Sequence, residues 1–214
     1  MPSLVLASAS SRRAEVLTRV GAVLTVRPAD LDETPLAGES PHALVVRLAD
    51  AKAAAVAFAE RTDEIVLAAD TEVVGDGRSF GKPSDRADAA AMLTSLSGRT
   101  HEVVTGVVAR RGTDRRHALV TTRVTFRPLT AEEIAWYVAT DEPMGKAGGY
   151  AMQGAGAVLI ERIEGSASNV IGLPLAETVA LLRRLGLPLL TPPFRPASGV
   201  GSDEPRDGGT RGSA

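Results

Sequence analysis

Cationic and carboxylate side chains recur next to apolar segments of this chain, in a pattern that suits chemistry on phosphates. The cations are Arg12, Arg13, Lys52, Lys82 and Lys146, and the carboxylates are Glu33 and Asp70. Lysine and arginine neutralise a polyphosphate, whereas carboxylates hold a hard divalent ion and orient a water molecule. From these residues alone we predict a protein that binds a phosphorylated small molecule, and we leave its hydrolysis open.

A serine-rich turn precedes the first predicted helix. The apolar run 4–7 predicts a buried strand, and the turn after it contains Ser8 and leads into Arg12 and Arg13. Arginines in a first helical turn face the positive end of the helix dipole, which favours an anion at that place. Two interpretations stay open here, an anion site or a serine N-cap beside two solvated arginines.

Three further positions combine charge with a defined local setting. Asp70 and Glu72 follow the very apolar segment 65–69, Glu33 lies in an acidic loop, and Lys82 stands between Gly and Pro. A carboxylate at the end of a buried strand is costly unless it is paired or bound to metal, so Asp70 is a functional candidate. For Glu33 and Lys82 taken singly, a solvated carboxylate and an exposed turn lysine are the simpler interpretations.

The segment 145–156 is rich in glycine and carries Lys146 and Gln153. Glycines let backbone approach a ligand closely, and the Gln153 amide offers a donor and an acceptor that suit the edge of a base. The glycine spacing matches neither the dinucleotide-binding nor the P-loop pattern. By itself, a glycine-rich loop that is neither a Rossmann fingerprint nor a P-loop is weakly specific for a ligand site.

Composition excludes several classes of function. The chain has 214 residues, a formal charge of −2 and no cysteine, so thiol and disulfide chemistry are ruled out and a nucleic-acid-coating surface is not expected. His42, His101 and His117 show no metal-ligand spacing and are interpreted as structural or surface residues. No secretory signal or membrane-spanning run is apparent, so we expect a cytoplasmic protein with no membrane or nucleic-acid partner.

Alternating strand and helix patterns predict an α/β domain with a mixed twisted sheet and flanking helices. Strands are predicted at 4–7, 23–26, 65–74, 102–109, 118–126 and 157–163, and helices begin near residues 11, 41, 85, 131 and 175. Thr130 and Glu133 form a capping box at one of these starts. We expect residues 1–189 to form one domain and residues 190–214, rich in Pro, Gly and charge, to form a disordered tail.

Ten short motifs, taken in order, resemble those of the Maf family of nucleoside triphosphate pyrophosphatases. They are LASASSRR (6–13), DE (32–33), LADAK (48–52), ADT (69–71), GKP (81–83), LSGRTHE (96–102), TG (105–106), KAGGY (146–150), QG (153–154) and EG with NVIGLP (164–165 and 169–174). Each motif alone is weakly specific, but together they extend from residue 4 to about residue 185.

The resemblance implies an activity and a fold. The activity is hydrolysis of a nucleoside triphosphate to the monophosphate and pyrophosphate with a divalent cation such as Mg, Mn or Co. The fold is a Maf/inosine-triphosphatase-like α/β structure with two lobes around a cleft, often as a homodimer.

The resemblance also assigns roles to individual residues. Asp70 resembles the family's proton acceptor, and Glu33 its partner in holding metal or water. The phosphate ligands implied by the motifs are Ser8, Arg13, Lys52 and Lys82.

Three positions match those that separate the branches of the family. Arg12, Thr71 and Gln153 are similar to the branch that acts on dTTP and UTP rather than on 7-methyl-GTP. Gln153 is then expected to pair with the N3–H and a carbonyl of a pyrimidine, and Lys146 to add a donor beside it.

Three departures from the family pattern carry expectations of their own. Ser11 replaces a usual proline, which predicts a less rigid loop before Arg12. Glu72 replaces an apolar residue on the same strand face as Asp70. It is expected either to add a metal ligand or a charge that acts on Asp70, or to be a solvent-facing carboxylate. The pair 167–168, Ala-Ser, replaces bulkier residues and is expected to widen the pocket.

Two alternative functions remain open at this stage. One is a nucleotide-sensing regulator of septum formation that does not need turnover, although two retained carboxylates favour an enzyme. The other is a purine house-cleaning pyrophosphatase of the inosine triphosphatase type.

Overall fold

The computed structural model describes residues 2–57 and 63–190. The strands are β1 Ser3–Leu6, β2 Leu24–Val26, β3 Glu64–Gly75, β4 Arg78–Phe80, β5 Thr100–Arg111, β6 Asp114–Phe126 and β7 Ile160–Glu164. The helices are α1 Ser11–Arg19, α2 Pro41–Ala57, α3 Arg86–Leu96, α4 Ala131–Ala139, α5 Ala167–Ile171 and α6 Leu175–Arg184. Most of the expected tail, residues 191–214, lies outside the described residues, so the boundary at 189 stays a prediction.

A single mixed sheet organises these elements and confirms the predicted fold class. Its strand order is β2-β1-β3-β5-β6-β7, with β4 paired to β3. β1 runs parallel to β2 and β3, whereas β3, β5, β6 and β7 form antiparallel pairs. Strand β3 therefore lies at the change from parallel to antiparallel pairing.

The sheet is covered on both faces, which explains the unbroken apolar run of β3. Leu67 packs with α1 and α6 on one face, while Val66 and Ala68 pack under α2 on the other. A separate apolar cluster joins α3 and α4 to the far ends of β3 and β5. A strand that is buried on both sides has a continuously hydrophobic sequence rather than alternating apolar and polar residues.

Several element boundaries differ from the sequence prediction. β5 and β6 extend to Arg111 and Asp114, because their polar ends still complete the antiparallel ladder although no apolar pattern marks them. The predicted strand 157–163 was wrong at its start, because residues Ala155–Leu159 form a short 3-10 helix and β7 begins at Ile160. β4 and α5 were not predicted, since they are short and lack a periodic pattern.

The parallel pairing of β1 with β3 brings the serine-rich turn to the site. Leu6 lies beside Leu67, and the Ala7 amide donates to the Leu67 carbonyl at 2.8 Å. The chain then turns into α1, whose N-cap is Ser10 without a side-chain capping bond. The turn with Ser8 therefore lies next to the segment of β3 that carries Asp70 and Thr71.

Candidate active site

A cleft of about 630 Å³ collects side chains from distant parts of the chain. Its walls come from the β1–α1 turn, α2, β3, the turn at 81–82 and the segments 145–150 and 170–172. The predicted site residues that line it are Ser8, Arg12, Arg13, Glu33, Lys52, Asp70, Thr71, Lys82 and Lys146. Nine of the ten side chains proposed from the sequence are thus brought together.

The Lys52 ammonium lies between two carboxylates at the centre of the cleft. Its Nζ is 2.6 Å from Glu33 Oε1 and 2.7 Å from Asp70 Oδ1. Lys52 and Asp70 are each only 7% exposed, whereas the Glu33 side chain is 49% exposed. A buried ion pair needs such close geometry, because desolvation opposes the Coulomb attraction.

The cations around Glu33 lower the pKa of its carboxyl group. Burial by itself would raise the Glu33 pKa, but the hydrogen bond and charge of Lys52, with Lys82 and Arg13 beyond, hold it below 4.5. Glu33 is therefore ionised at neutral pH, and the interpretation of a merely solvated loop carboxylate does not hold.

Arg13 joins three segments of the cleft wall. Its Nε donates to the Gly172 carbonyl at 2.8 Å, its Nη1 to Ser8 Oγ at 2.9 Å and its Nη2 to Thr71 Oγ1 at 3.0 Å. Thr71 Oγ1 also lies 3.0 Å from Thr105 Oγ1. The Arg13 guanidinium is consequently fixed in the cleft wall, and the interpretation of a solvated arginine is wrong for this residue.

Two further cations approach the cleft from different elements. Partly buried Arg12 lies one residue before Arg13, at the start of α1. Lys146 Nζ donates to the backbone carbonyls of Glu142 and Met144. Partial burial and the charge of Arg12 lower the Lys146 pKa, with Glu142 acting in the opposite direction. These two like charges favour an anionic ligand between them.

Gln153 is the one predicted site residue that does not line the cleft. It is exposed, in the segment between the 3-10 helices Ala147–Gly149 and Ala155–Leu159. Its contact with a base therefore stays a prediction.

The interpretation of the histidines as structural or surface residues is confirmed for His101 and His117. His101 is 2% exposed, and its Nε2 lies 2.8 Å from the Tyr150 hydroxyl. Its ring also packs edge-on against Phe126. His101 thus supports Tyr150 in the cleft wall, and His117 is a surface residue.

Two residues outside the cleft wall, Thr105 and Glu142, contact residues of the site but were given no role from the sequence. Thr105 was noted within a motif but given no role, yet its hydroxyl continues the chain of contacts from Arg13 through Thr71. Glu142 was not singled out, because an acidic residue in a polar turn carries no signal of its own. The three-dimensional contacts of Glu142 reveal that its carboxylate accepts hydrogen bonds from the glycine-rich segment.

The departures at 167–168 lie outside the pocket wall. Ala167 is exposed, and Ser168 Oγ accepts a hydrogen bond from the Leu175 amide at 2.9 Å. Neither residue lines the cleft, so the expected widening has no structural basis.

Oxygen donors in the cleft fit a hard divalent cation. Glu33, Asp70 and Glu72 all line it, and Glu72 Oε2 is buried without a hydrogen-bond partner among the described residues. Glu72 is thus not a simple solvent-facing carboxylate. Across residues 2–57 and 63–190 no group of three or more acidic or histidine side chains is close enough to form a complete metal cage. Mg²⁺ commonly uses one or two carboxylates together with substrate phosphates, so such a cation would not need a complete protein cage.

Glu72→Gln is expected to raise the melting temperature at pH 8 and to leave it nearly unchanged at pH 4. Burial and then the charge of Asp70 raise the Glu72 pKa from 4.5 to about 7. Its contribution to stability is therefore present below pH 4.5 and is lost as the pH rises through 7. Thermal unfolding at both pH values measures the difference, with exposed Glu161→Gln as the control. An equal shift at both pH values would contradict a raised pKa of Glu72 in the folded protein.

The fold and the cleft define an α/β protein that presents cations and carboxylates together to a phosphorylated ligand. The family described as Maf-like protein matches residues 3–185, and the chain therefore belongs to the Maf family.

Proteins named dTTP/UTP pyrophosphatase are among its relatives. The one from Myxococcus xanthus (strain DK1622) is 55% identical over 186 residues, covering 87% of this chain and 94% of that protein. The one from Anaeromyxobacter dehalogenans (strain 2CP-C) is 53% identical over 192 residues, covering 88% and 96%. A solved nucleoside-triphosphatase / dITP/XTP pyrophosphatase from Mycobacterium abscessus aligns with a TM-score of 0.42 at 16% identity, covering 86% of this chain and 98% of that one.

In the described part of the chain, no helix has both the length and the apolar character that crossing a bilayer requires.

Proposed function

We propose that this protein is a nucleoside triphosphate pyrophosphatase that hydrolyses dTTP and UTP, and modified pyrimidine triphosphates, to the monophosphate and pyrophosphate. The observation that carries the proposal is the Lys52 ammonium held between Glu33 and Asp70 in a cleft lined by further cations. The names of relatives more than 50% identical support the same activity.

In the proposed reaction, Asp70 accepts a proton from water as the water oxygen attacks the α-phosphorus. The bond between that phosphorus and the oxygen bridging to the β-phosphate breaks, and pyrophosphate leaves with the electron pair. Lys52, Lys82 and Arg13 stabilise the charge that develops on the phosphates, and Ser8 donates a hydrogen bond to them. A divalent cation held by Glu33 and Asp70 would supply further neutralisation of the same charge.

Pyrophosphate release tests this proposal directly. Purified protein is incubated with dTTP, UTP, CTP, dGTP, dITP and XTP in the presence of Mg²⁺, Mn²⁺ or Co²⁺, and pyrophosphate is measured separately from phosphate. We expect the highest kcat/KM for dTTP and UTP, and no turnover when a chelator removes the divalent cation. Preference for dITP and XTP would establish the purine alternative, and absence of pyrophosphate release from every triphosphate would exclude the enzyme.

Gln153→Glu is expected to lower kcat/KM for dTTP and UTP by about tenfold or more, with little change in the metal concentration needed for half-maximal activity. The Gln153 amide offers a donor and an acceptor, whereas a carboxylate only accepts, so one hydrogen bond to a uracil-type edge is lost. Steady-state kinetics on each nucleotide measure the effect. An equal loss of kcat/KM on all nucleotides would show that Gln153 does not recognise the base.

The proposal also includes a homodimeric, cytoplasmic protein that acts on free nucleotides rather than on nucleic acid. The family resemblance supports the dimer, and the formal charge of −2 agrees with a small-molecule substrate. Light scattering coupled to size exclusion measures the assembly, with a mass of twice 22.2 kDa expected.

A further inference from the structure

The Glu142 carboxylate, just after α4, accepts hydrogen bonds from the glycine-rich segment. Its Oε1 accepts hydrogen bonds from the Tyr137 hydroxyl at 2.8 Å and from the Gly156 amide at 2.9 Å. Its Oε2 accepts from the Ala155 amide at 2.9 Å. Three donors therefore converge on one charged group, and charge-assisted bonds of this kind are stronger than neutral ones.

The buried Tyr137 ring makes this arrangement rigid. Tyr137 is 0% exposed, and its hydroxyl, which donates to Glu142, accepts from the Ala151 amide at 3.1 Å. Both ends of the turn 151–156 are thus tied to the same pair of side chains. The residues between them include Gln153, which makes its proposed contact with the base from this turn.

Two glycines of the turn, Gly154 and Gly156, have no room for a side chain next to Glu142 and Tyr137. A Cβ on Gly154 would lie 1.9 Å from Glu142 Oε2, and one on Gly156 would lie 2.6 Å from the Tyr137 hydroxyl. Both distances are shorter than any tolerated carbon–oxygen contact. The backbone of the turn therefore lies directly against the carboxylate.

The charge of Glu142 and its backbone contacts also link the turn to the cleft. Burial alone would raise the Glu142 pKa, but hydrogen bonds from Gly156, Tyr137 and Ala155 and the charge of Lys146 lower it. The Glu142 carbonyl also accepts from the Lys146 ammonium, which lines the cleft. One residue thus holds a cleft cation through its backbone and the Gln153 turn through its side chain.

We propose that Glu142 is a positioning residue for nucleotide selectivity, acting by holding the 151–156 turn and Lys146 in place without touching the substrate. This inference rests on the proposed function and extends it to a residue outside the cleft wall. Loss of the carboxylate lets the turn move, so a base bound by that turn is held less well. The proposed phosphate ligands Ser8, Arg13, Lys52 and Lys82 keep their places, because the contacts of Glu142 involve none of them.

Glu142→Gln tests this role with little change in size. A glutamine amide replaces one acceptor oxygen with an NH₂ group, so one of the three converging donors loses its acceptor. We expect KM for dTTP and UTP to rise about tenfold or more while kcat stays within about threefold, because binding rather than chemistry is impaired. The ratio of kcat/KM for dTTP over CTP is expected to fall accordingly.

Two further variants separate positioning from stability. Gly154→Ala pushes the turn away from Glu142 at an exposed position and is expected to reproduce the KM and selectivity changes. The control, Glu133→Gln, removes a carboxylate on α4 that bonds to the Thr130 amide and Arg127 outside the cleft. It is expected to lower the melting temperature without changing KM or selectivity.

The outcomes are distinct for the two proposals. Unchanged KM and selectivity in folded Glu142→Gln or Gly154→Ala protein would overturn the positioning role, as would an equal kcat loss on all nucleotides. Should Glu142→Gln fail to fold, Gly154→Ala decides alone. A wild-type protein that releases no pyrophosphate would overturn the proposed function instead, and calorimetry with a non-hydrolysable dTTP analogue would then compare the same variants by affinity.

Discussion

Asp70→Asn is expected to lower kcat for dTTP and UTP by about two to four orders of magnitude, which is the usual contribution of a general base. Asparagine keeps the shape of the side chain, and its carbonyl oxygen can still accept a hydrogen bond from Lys52, 2.7 Å away in the native protein. It cannot take a proton from water. The fold should therefore persist while the chemical step slows.

Pyrophosphate release and thermal unfolding measured together test this prediction. The matched control is Asp50→Asn, because Asp50 is also an aspartate paired with a cation, Arg115 at 2.6 Å, but lies outside the cleft. Its turnover is expected to be close to that of the wild type. Near-wild-type turnover in Asp70→Asn protein would show that Asp70 is not the general base. Restoration of a division phenotype by that inactive protein would favour the regulator that does not need turnover.

Lys52→Gln is expected to lower both stability and turnover. It removes one partner of a buried ion pair and leaves Asp70, 7% exposed, without its cation. Breaking a buried pair in this way costs about 3–5 kcal/mol, which for a domain of this size lowers the melting temperature by roughly 10 °C. Turnover should fall as well, because the same ammonium is proposed to stabilise charge on the phosphates.

The loss of stability in Lys52→Gln should depend on pH. Glu33 has a pKa below its ordinary 4.5 because Lys52 overcomes the effect of burial. A depressed carboxyl pKa contributes stability above pH 4.5 and loses it as the pH falls through the lower, folded value. The difference between wild type and variant is therefore expected to be full at pH 7 and smaller at pH 4.

Thermal unfolding at these two pH values provides the measurement. Arg115→Gln is the control, since its pair with Asp50 is more exposed and such pairs contribute only about 0–1 kcal/mol. A difference in melting temperature of only about 1–2 °C between Lys52→Gln and the control variant is what a small surface effect would give. That result would show that Lys52 does not compensate the charges of the two carboxylates.

Local features of the chain were predictable from the sequence. The apolar run of β3 and the capping box at Thr130 and Glu133 were predicted and are confirmed. Both features depend on residues close together in the chain. Burial on two faces makes the strand continuously apolar, and the capping box consists of reciprocal hydrogen bonds between residues three positions apart. The same holds for the cations and carboxylates that line the cleft, because charged residues next to apolar strand ends are visible without a structure.

Contacts between distant segments were decided only by the tertiary structure. Lys52 reaches Asp70 across 18 positions, and Arg13 reaches the Gly172 carbonyl across 159. Neither pair is linked by a period or a spacing, because the first depends on how α2 lies against β3 and the second on how α1 lies against α5. Gln153 illustrates the opposite case, since its motif predicts a base contact but the fold leaves it exposed outside the cleft wall.

The sequence by itself determined the chemistry available to this protein, namely cations with a few carboxylates, and the sheet that would carry them. Only the folded chain decided that Lys52 lies between Glu33 and Asp70 and that Glu142 holds the glycine-rich turn. The physical reason is that propensity and hydrophobic pattern act over a few residues. Hydrogen bonds and ion pairs form between whichever groups the packing of the sheet brings within about 3 Å.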